Sequence, residues 1–226
     1  MNLRFAAAGL LICLPVFAAP PLQTVELRTT DRMDLAPGGA LRLANSSGEV
    51  AIEAWDQPAV EISLTRTTFR HNNPKEQELA KQSLGRIHLT LKKNDGGELE
   101  ALTTIPSRQR LFGLLPGFHD FHLYYRIRAP RDAKLIVDHN IGTVTVSGIG
   151  GDIEARVRAG DIVAQLPGAE HYSFDTKVRV GDVYSDFEGK NGSSYVIGQR
   201  FVAAPQPPSH RIVLRVGVGG ISIQRL

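Results

Sequence analysis

Six basic residues share one parity across three apolar-patterned stretches of this 226-residue chain: Arg156 and Arg158, Lys177 and Arg179, and Arg211 and Arg215. Alternation places them on one face of each strand. Stacking at the ~4.8 Å spacing of a sheet would turn them into a cationic ladder. The chemistry open to such a ladder is capture of an anion or polyanion, because like charges in line repel unless counter-charges or a partner relieve them. Glu154, within the same stretch, is one such internal counter-charge. A solvated face with interleaved acids is therefore the competing reading of the same residues.

A second cluster lies in residues 106–120. Arg108 and Arg110 precede Leu111, Phe112, Leu114, Leu115 and Phe118, while Gly113, Pro116 and Gly117 interrupt any regular element. Five large apolar side chains are too many for an ordinary exposed loop. Either the loop folds back to cap the end of a β stack, or it projects an apolar tip with two arginines at its base toward a membrane or protein groove.

Residue pairs suited to metal or acid–base chemistry are weaker. His119 and His122 are three apart, a spacing that puts them on opposite faces of a strand, and no second ligand cluster completes a zinc site. Asp138-His139 could orient a general base, but no nucleophile is marked for it. Gly150-Gly151-Asp152 carries only part of a repeated calcium-binding nonapeptide, without its second glycine pair and its Asp spacing. Asn45-Ser46-Ser47 and Asn191-Gly192-Ser193 are formal glycosylation sequons that matter only in a eukaryotic host. No catalytic residue, cofactor or metal ion is expected.

The elements that must position these residues are β-strands. Gly142, Gly151 and Gly160 stand nine apart, each opening a short alternating run, and the unit returns at Gly181-Asp182-Val183 and Gly220-Ile221. A fixed period of one strand and one glycine corner is the sequence form of stacked β architecture. The parity directs Val144, Val146, Ile153, Ala155, Val157, Ile162, Ala164 and Leu166 inward, followed by Val178, Val180, Ile212, Leu214, Val216 and Val218. Residues 186–210 read as an excursion from the stack.

Upstream, residues 41–43 and 50–54 alternate, and after the turn Asp56-Gln57-Pro58 so do Val60, Ile62 and Leu64, which reads as a half-buried β-hairpin. Pro74 opens one short surface helix ending at Gly85, with Leu79, Ala80 and Leu84 as its apolar stripe. Ile87, Leu89 and Leu91 form a strand, Asn94-Asp95-Gly96-Gly97 a turn, and residues 99–105 pair back. Another strand carries Leu123, Tyr125 and Ile127.

At the N-terminus, Arg4, the apolar residues 5–14 and the small residues around Ala18 form a cleavable signal peptide, expected to be cut after Ala18. The apolar run is too short to span a bilayer. Ile12 before Cys13 argues against lipid attachment, and the remainder has no cysteine. The expected location is periplasmic or secreted, and the core must hold the fold without disulfides. Net charge is +3, or one less without Arg4, so nucleic acid is not an expected partner. No later stretch reads as a transmembrane helix.

The segment Asn45-Ser46-Ser47-Gly48-Glu49-Val50-Ala51-Ile52-Glu53-Ala54-Trp55, the strand end Tyr125-Arg126-Ile127-Arg128-Ala129-Pro130 and the Gly-Asp-Ile and Gly-Asp-Val units resemble the putative-adhesin family of bacterial envelope proteins, a domain of unknown function. The resemblance covers residues 41–226 and implies a β-solenoid-like fold and an envelope role, with no catalytic residues to carry over. The expected fold is all-β, a hairpin-rich N-terminal half running into a short β-helix-like solenoid, with a two-sheet β-sandwich as the alternative. The expected organisation is a signal peptide (1–18), a lead-in (19–40) and one adhesin-like domain (41–226). The expected function is a non-enzymatic, exported envelope protein binding an anionic glycan, a lipid surface or an envelope protein. The alternatives are a polysaccharide-acting β-helix enzyme and an assembly subunit that uses the exposed edge of its last strand.

Overall fold

The computed structural model describes residues 22–71, 73–105, 121–168, 172–194, 197–204 and 210–226. Residues 1–21, which hold the expected signal peptide, and the whole of the 106–120 loop, with Arg108, Arg110, Leu111, Phe112, Leu114, Leu115 and Phe118, fall outside these residues. The described chain is all-β: fifteen strands share one hydrogen-bonded network, with a single short helix.

Two long strands organise it. β2 (Ala40–Trp55) and β7 (Lys134–Ser147) lie parallel and side by side over most of their length, Leu41 opposite Leu135 and Val50 opposite Val144. Each passes through a glycine of positive φ in mid-strand, Gly48 (103°) and Gly142 (127°), which splits it into two halves. β8 (Ile153–Ala159) pairs parallel with the first half of β7, and β9 (Ile162–Leu166) with the second. β14 (His210–Val218) and β15 (Ile221–Arg225) continue the two rows, and β10 (Tyr172–Val180) and β11 (Val183–Ser185) follow. The two rows meet at a column of glycines running Gly48, Gly142, Gly160, Gly219, Gly181. All five have φ between 103° and 136°. In each of the last four, the place a Cβ would take is filled by the carbonyl oxygen of the glycine before it in the column. Only glycine meets both demands.

The spatial order departs from the chain order. The C-terminal pair β14–β15 is inserted between β8–β9 and β10–β11, so the last strands of the chain are interior rather than an exposed edge. The corner glycine there is Gly219, one residue earlier than the repeat at Gly220 indicates. Residues 186–210 are an excursion, as expected, but an ordered one: β12 (Lys190–Ser194) and β13 (Gly198–Ala203) form an antiparallel hairpin that pairs with β10.

The N-terminal half differs more. Residues 22–34, expected to be a polar lead-in, form β1 (Leu22–Asp34), antiparallel to β3 (Ala59–His71) along its full length. The hairpin expected between β2 and β3 does not form. β6 (Phe121–Pro130) lies between them, and Ile127 is in register with both Ile52 and Ile62, all three fully buried. The turn is real, but a third strand takes the hydrogen bonds. The hairpin of β4 (His88–Lys93) and β5 (Leu99–Thr104) does form, with Gly97 at positive φ in its turn, and β5 joins the first half of β2.

Helix α1 (Pro74–Gly85) is capped by Asn73, whose Oδ1 accepts from the Lys75 amide at 3.0 Å. Ala80 and Leu84 pack on Val25 of β1, while Leu79 faces outward, so the stripe is narrower than its spacing indicated. Arg66 is buried below the helix-to-strand connection, its guanidinium donating to the Ile87 and Leu27 carbonyls and to Thr29 Oγ1.

Apart from the small cluster of Val25, Ala80 and Leu84 under α1, the core is one cluster running through both rows, and it holds most of the inward set, from Val144, Ile153 and Ile162 to Ile212 and Leu214. Val180 and Val218 are the exceptions. They stand at the strand ends beside the glycine corner, where the backbone turns away from the core, and Val218 is 56% exposed.

Candidate anion-binding face

The cations predicted to form a ladder do come together. On β8, β14 and β10, Arg156, Arg215 and Lys177 stand opposite one another across three adjacent strands, flanked by Asp138 of β7 on one side and Arg200 of β13 on the other. Two residues further along lie Arg158, Gly217 and Arg179. Arg156, Arg158, Lys177, Arg179, Arg215 and Gly217 line an open groove of about 820 Å³, with Asp138, Asn140 and Val218 beside them. Asp138 is the one carboxylate among the described lining residues.

Ion pairing divides the ladder into two rows of different character. In the first row, Arg156 pairs with Glu154 on its own strand and lies 3.7 Å from Asp138, which also faces Arg42 at 3.6 Å. Arg215 donates to Asp175 Oδ2 and to the Asp175 carbonyl, both at 2.5 Å, and Arg200 reaches the same carboxylate at 3.4 Å. Burial opposes ionisation of Asp175, but the hydrogen bond and charge of Arg215, joined by Arg200, hold its carboxyl below the usual carboxylate range. This row is largely the solvated face with interleaved acids, its arginines compensated internally. Arg158 and Arg179 are different: both are exposed, and neither has a carboxylate within ion-pair distance among the described residues. Gly217 stands between them with no side chain, and the place its Cβ would take meets the Arg158 carbonyl. The result is a smooth gap between two unpaired guanidiniums, about 10 Å apart at two strand spacings.

Arg211 lies at the far end of its strand, where its amide donates to Asp152 Oδ1 at 2.9 Å, away from Arg158 and Arg179. Asp138 and His139 diverge: the carboxylate faces the groove, while the imidazole is buried, with Nδ1 2.8 Å from Ser46 Oγ. Burial lowers its pKa below the ordinary value, against the opposing pull of the Gly48 and Ile141 backbone. His122 is exposed, its ring 6.2 Å from that of Phe69, and His119 lies outside the described residues. No group of three potential metal ligands occurs among the described residues.

Sequence reasoning missed Gly217 and a line of apolar residues at the corner, of which Ile141 and Val218 are exposed and Ala159 and Val180 half-buried. Ile141, Ala159, Val218 and Val180 occupy one position on four adjacent strands, each immediately before its corner glycine. Ile141 is 64% exposed, and Ile197, 63% exposed, follows them, its carbonyl accepting from the Gly181 amide at 3.1 Å. Their parity reads as inward, so only the position directly before a corner glycine could have marked them.

No family model matches the chain, and no curated protein matches it. Among solved structures, the fold is similar to a "putative cell adhesion protein" from Clostridium sporogenes, at 12% identity and a TM-score of 0.47, covering 88% of this chain and all of that one. A "putative adhesin" from Parabacteroides merdae matches at 9% identity and a TM-score of 0.31, covering 70% of this chain and 68% of that one. A "putative lipid binding protein" from Parabacteroides distasonis matches at 12% identity and a TM-score of 0.29, with 70% of each chain covered. Likeness at this level fixes neither a site nor a ligand.

Proposed function

We propose that this chain is an exported, non-enzymatic envelope protein of adhesin-like type that holds an anionic partner on the basic face of β8, β14 and β10. The observation that carries the reading is the unpaired row of Arg158 and Arg179 around Gly217. The fold lays two guanidiniums on one sheet face without a counter-charge among the described residues, beside a row where every arginine has one. An unpaired cation pair on an ordered scaffold favours anions with little ordering cost. The parallel rows and the glycine column support a short solenoid-like stack over a sandwich, since each row pairs in register from one turn to the next. Sugar-cleaving chemistry wants two carboxylates about 5–10 Å apart, and the one carboxylate among the described groove residues, Asp138, is engaged by two arginines.

The test is retention on immobilised heparin as a function of salt. The double variant Arg158→Ser with Arg179→Ser should elute at markedly lower salt than the parent. Lys75→Ser with Lys81→Ser, an equal charge loss on helix α1, should elute close to it. Equal behaviour of the two variants, or a parent that is not retained at low salt, overturns the reading.

A further inference from the structure

Resting on that reading, we infer that the partner is an anionic lipid surface, met by the glycine-corner edge of the stack. The apolar line of Ile141, Ala159, Val218 and Val180, extended by Ile197, runs directly beside the unpaired row of Arg158 and Arg179. Val218 lines the same groove as both arginines and Gly217. At about 4.8 Å per strand the line from Ile141 to Val180 spans some 14 Å.

An acidic glycan needs cations and hydrogen-bonding groups, and has no use for exposed isoleucine and valine. A membrane surface uses both, apolar side chains at the acyl boundary and arginines at the headgroup phosphates. The gap over Gly217 leaves both guanidiniums open to a phosphate from the same side. On the opposite flank of the glycine column lie Asp161 and Asp182, but each is committed. Asp161 Oδ1 accepts from the Gly220 amide at 2.7 Å, and Asp182 Oδ1 accepts from Gln199 Nε2 at 3.1 Å. The edge is therefore basic on one flank and acidic on the other, which orients the β8–β14–β10 flank toward an anionic bilayer. Ile141, Ala159, Val218 and Val180, like Arg158 and Arg179, are strand residues, so this part of the surface needs no ordering of a loop to bind.

The experiment is co-sedimentation with vesicles of phosphatidylcholine and phosphatidylglycerol (3:1) and of phosphatidylcholine alone, with heparin retention and thermal melting in parallel. The parent should pellet with the mixed vesicles and not with the neutral ones. Ile141→Ser with Val218→Ser should lose affinity for mixed vesicles roughly tenfold or more, while keeping its heparin retention and melting temperature. Arg158→Ser with Arg179→Ser should lose both vesicle and heparin binding. A ridge variant that pellets like the parent overturns the inference and leaves the basic-face reading standing. So does a parent held by heparin but not by mixed vesicles, which identifies the partner as an acidic glycan. A ridge variant that melts several degrees lower shows the line to be covered by the chain itself, and also overturns the inference. A parent bound by neither probe overturns the proposed function as well.

Discussion

The carbonyl oxygen of Gly142 fills the space that a Cβ on Gly160 would occupy. The same contact links Gly48 to Gly142, Gly160 to Gly219 and Gly219 to Gly181, so the corner of the stack is backbone packed on backbone. At Gly160 the φ of 127° adds a second penalty for any other residue.

Gly160→Ala should therefore destabilise the protein by on the order of 3 kcal/mol or more, from the clash and the strained φ together. Gly192→Ala is the matched control, because nothing lies within 4 Å of its added Cβ. Denaturant midpoints of the two variants check this, and a Gly160→Ala midpoint close to that of the control would mean that the corner is not closely packed.

The strand parity makes a second prediction. Ile153 and Ile162 are buried on adjoining parts of the two rows. Ile153→Asp or Ile162→Asp should cost about 4 kcal/mol or more, by placing a carboxylate among apolar layers with no partner. Glu154→Ala loses an exposed pair with Arg156, and Gln165→Ala a half-exposed hydrogen bond to Gln224, so each should cost under about 1 kcal/mol. Circular-dichroism melts of the four variants separate the two sets, and equal damage from both would contradict the parity.

Much of this was legible in the chain because local chemistry decides it. Positive φ needs glycine, and apolar alternation needs a half-buried strand, so the Gly142 and Gly160 corners and the inward set from Val144 to Leu166 could be read directly. Long-range choices could not. Nothing near Pro58 signals that β6, more than sixty residues later, separates β2 from β3, and nothing near Gly219 signals that the last strands enter between β8 and β10. Parity also fails where a strand ends. Val218 carries the inward parity, yet the turn at Gly219 directs it to solvent. For the candidate site, Arg156, Arg158, Lys177 and Arg179 were legible as a set, but their division into a paired and an unpaired row was not. That division depends on Asp175, which sits on β10 in line with Val213 of β14 and Glu154 of β8 and carries no motif.

Asp175 gives a third prediction. Its carboxylate compensates Arg215 and Arg200, so Asp175→Asn should raise the positive potential of the groove. Heparin affinity at low salt should rise a few-fold, with a steeper salt dependence. Stability should fall by about 1 kcal/mol, since Arg215 is partly buried and loses a charged partner. Unchanged retention on heparin would place the polyanion elsewhere on the surface.

The last prediction concerns His139. Its imidazole is buried against Ser46, and burial holds its pKa below the ordinary 6.5. The unfolded chain then takes up this proton before the folded one does. The stabilising contribution is fully present above pH 6.5 and is lost as pH falls from there toward the lowered folded value, at up to ~1.4 kcal/mol per pH unit. His139→Gln keeps a hydrogen-bonding group near Ser46 but cannot titrate. It should be less stable than the parent at pH 7.5, by about 1–2 kcal/mol from imperfect packing and a changed hydrogen bond. Between pH 6.5 and 5, however, its melting temperature should decline less than that of the parent. Carboxylates held low by their partners, Asp175 among them, lose their contribution only at more acid pH, and they do so equally in both proteins. The measurement is a set of melts from pH 7.5 to 4.5 on the two proteins, and the quantity that decides is the difference in slope. Parallel curves would mean that the ring is solvated or rearranges on protonation, and that His139 is not the buried neutral group under the groove.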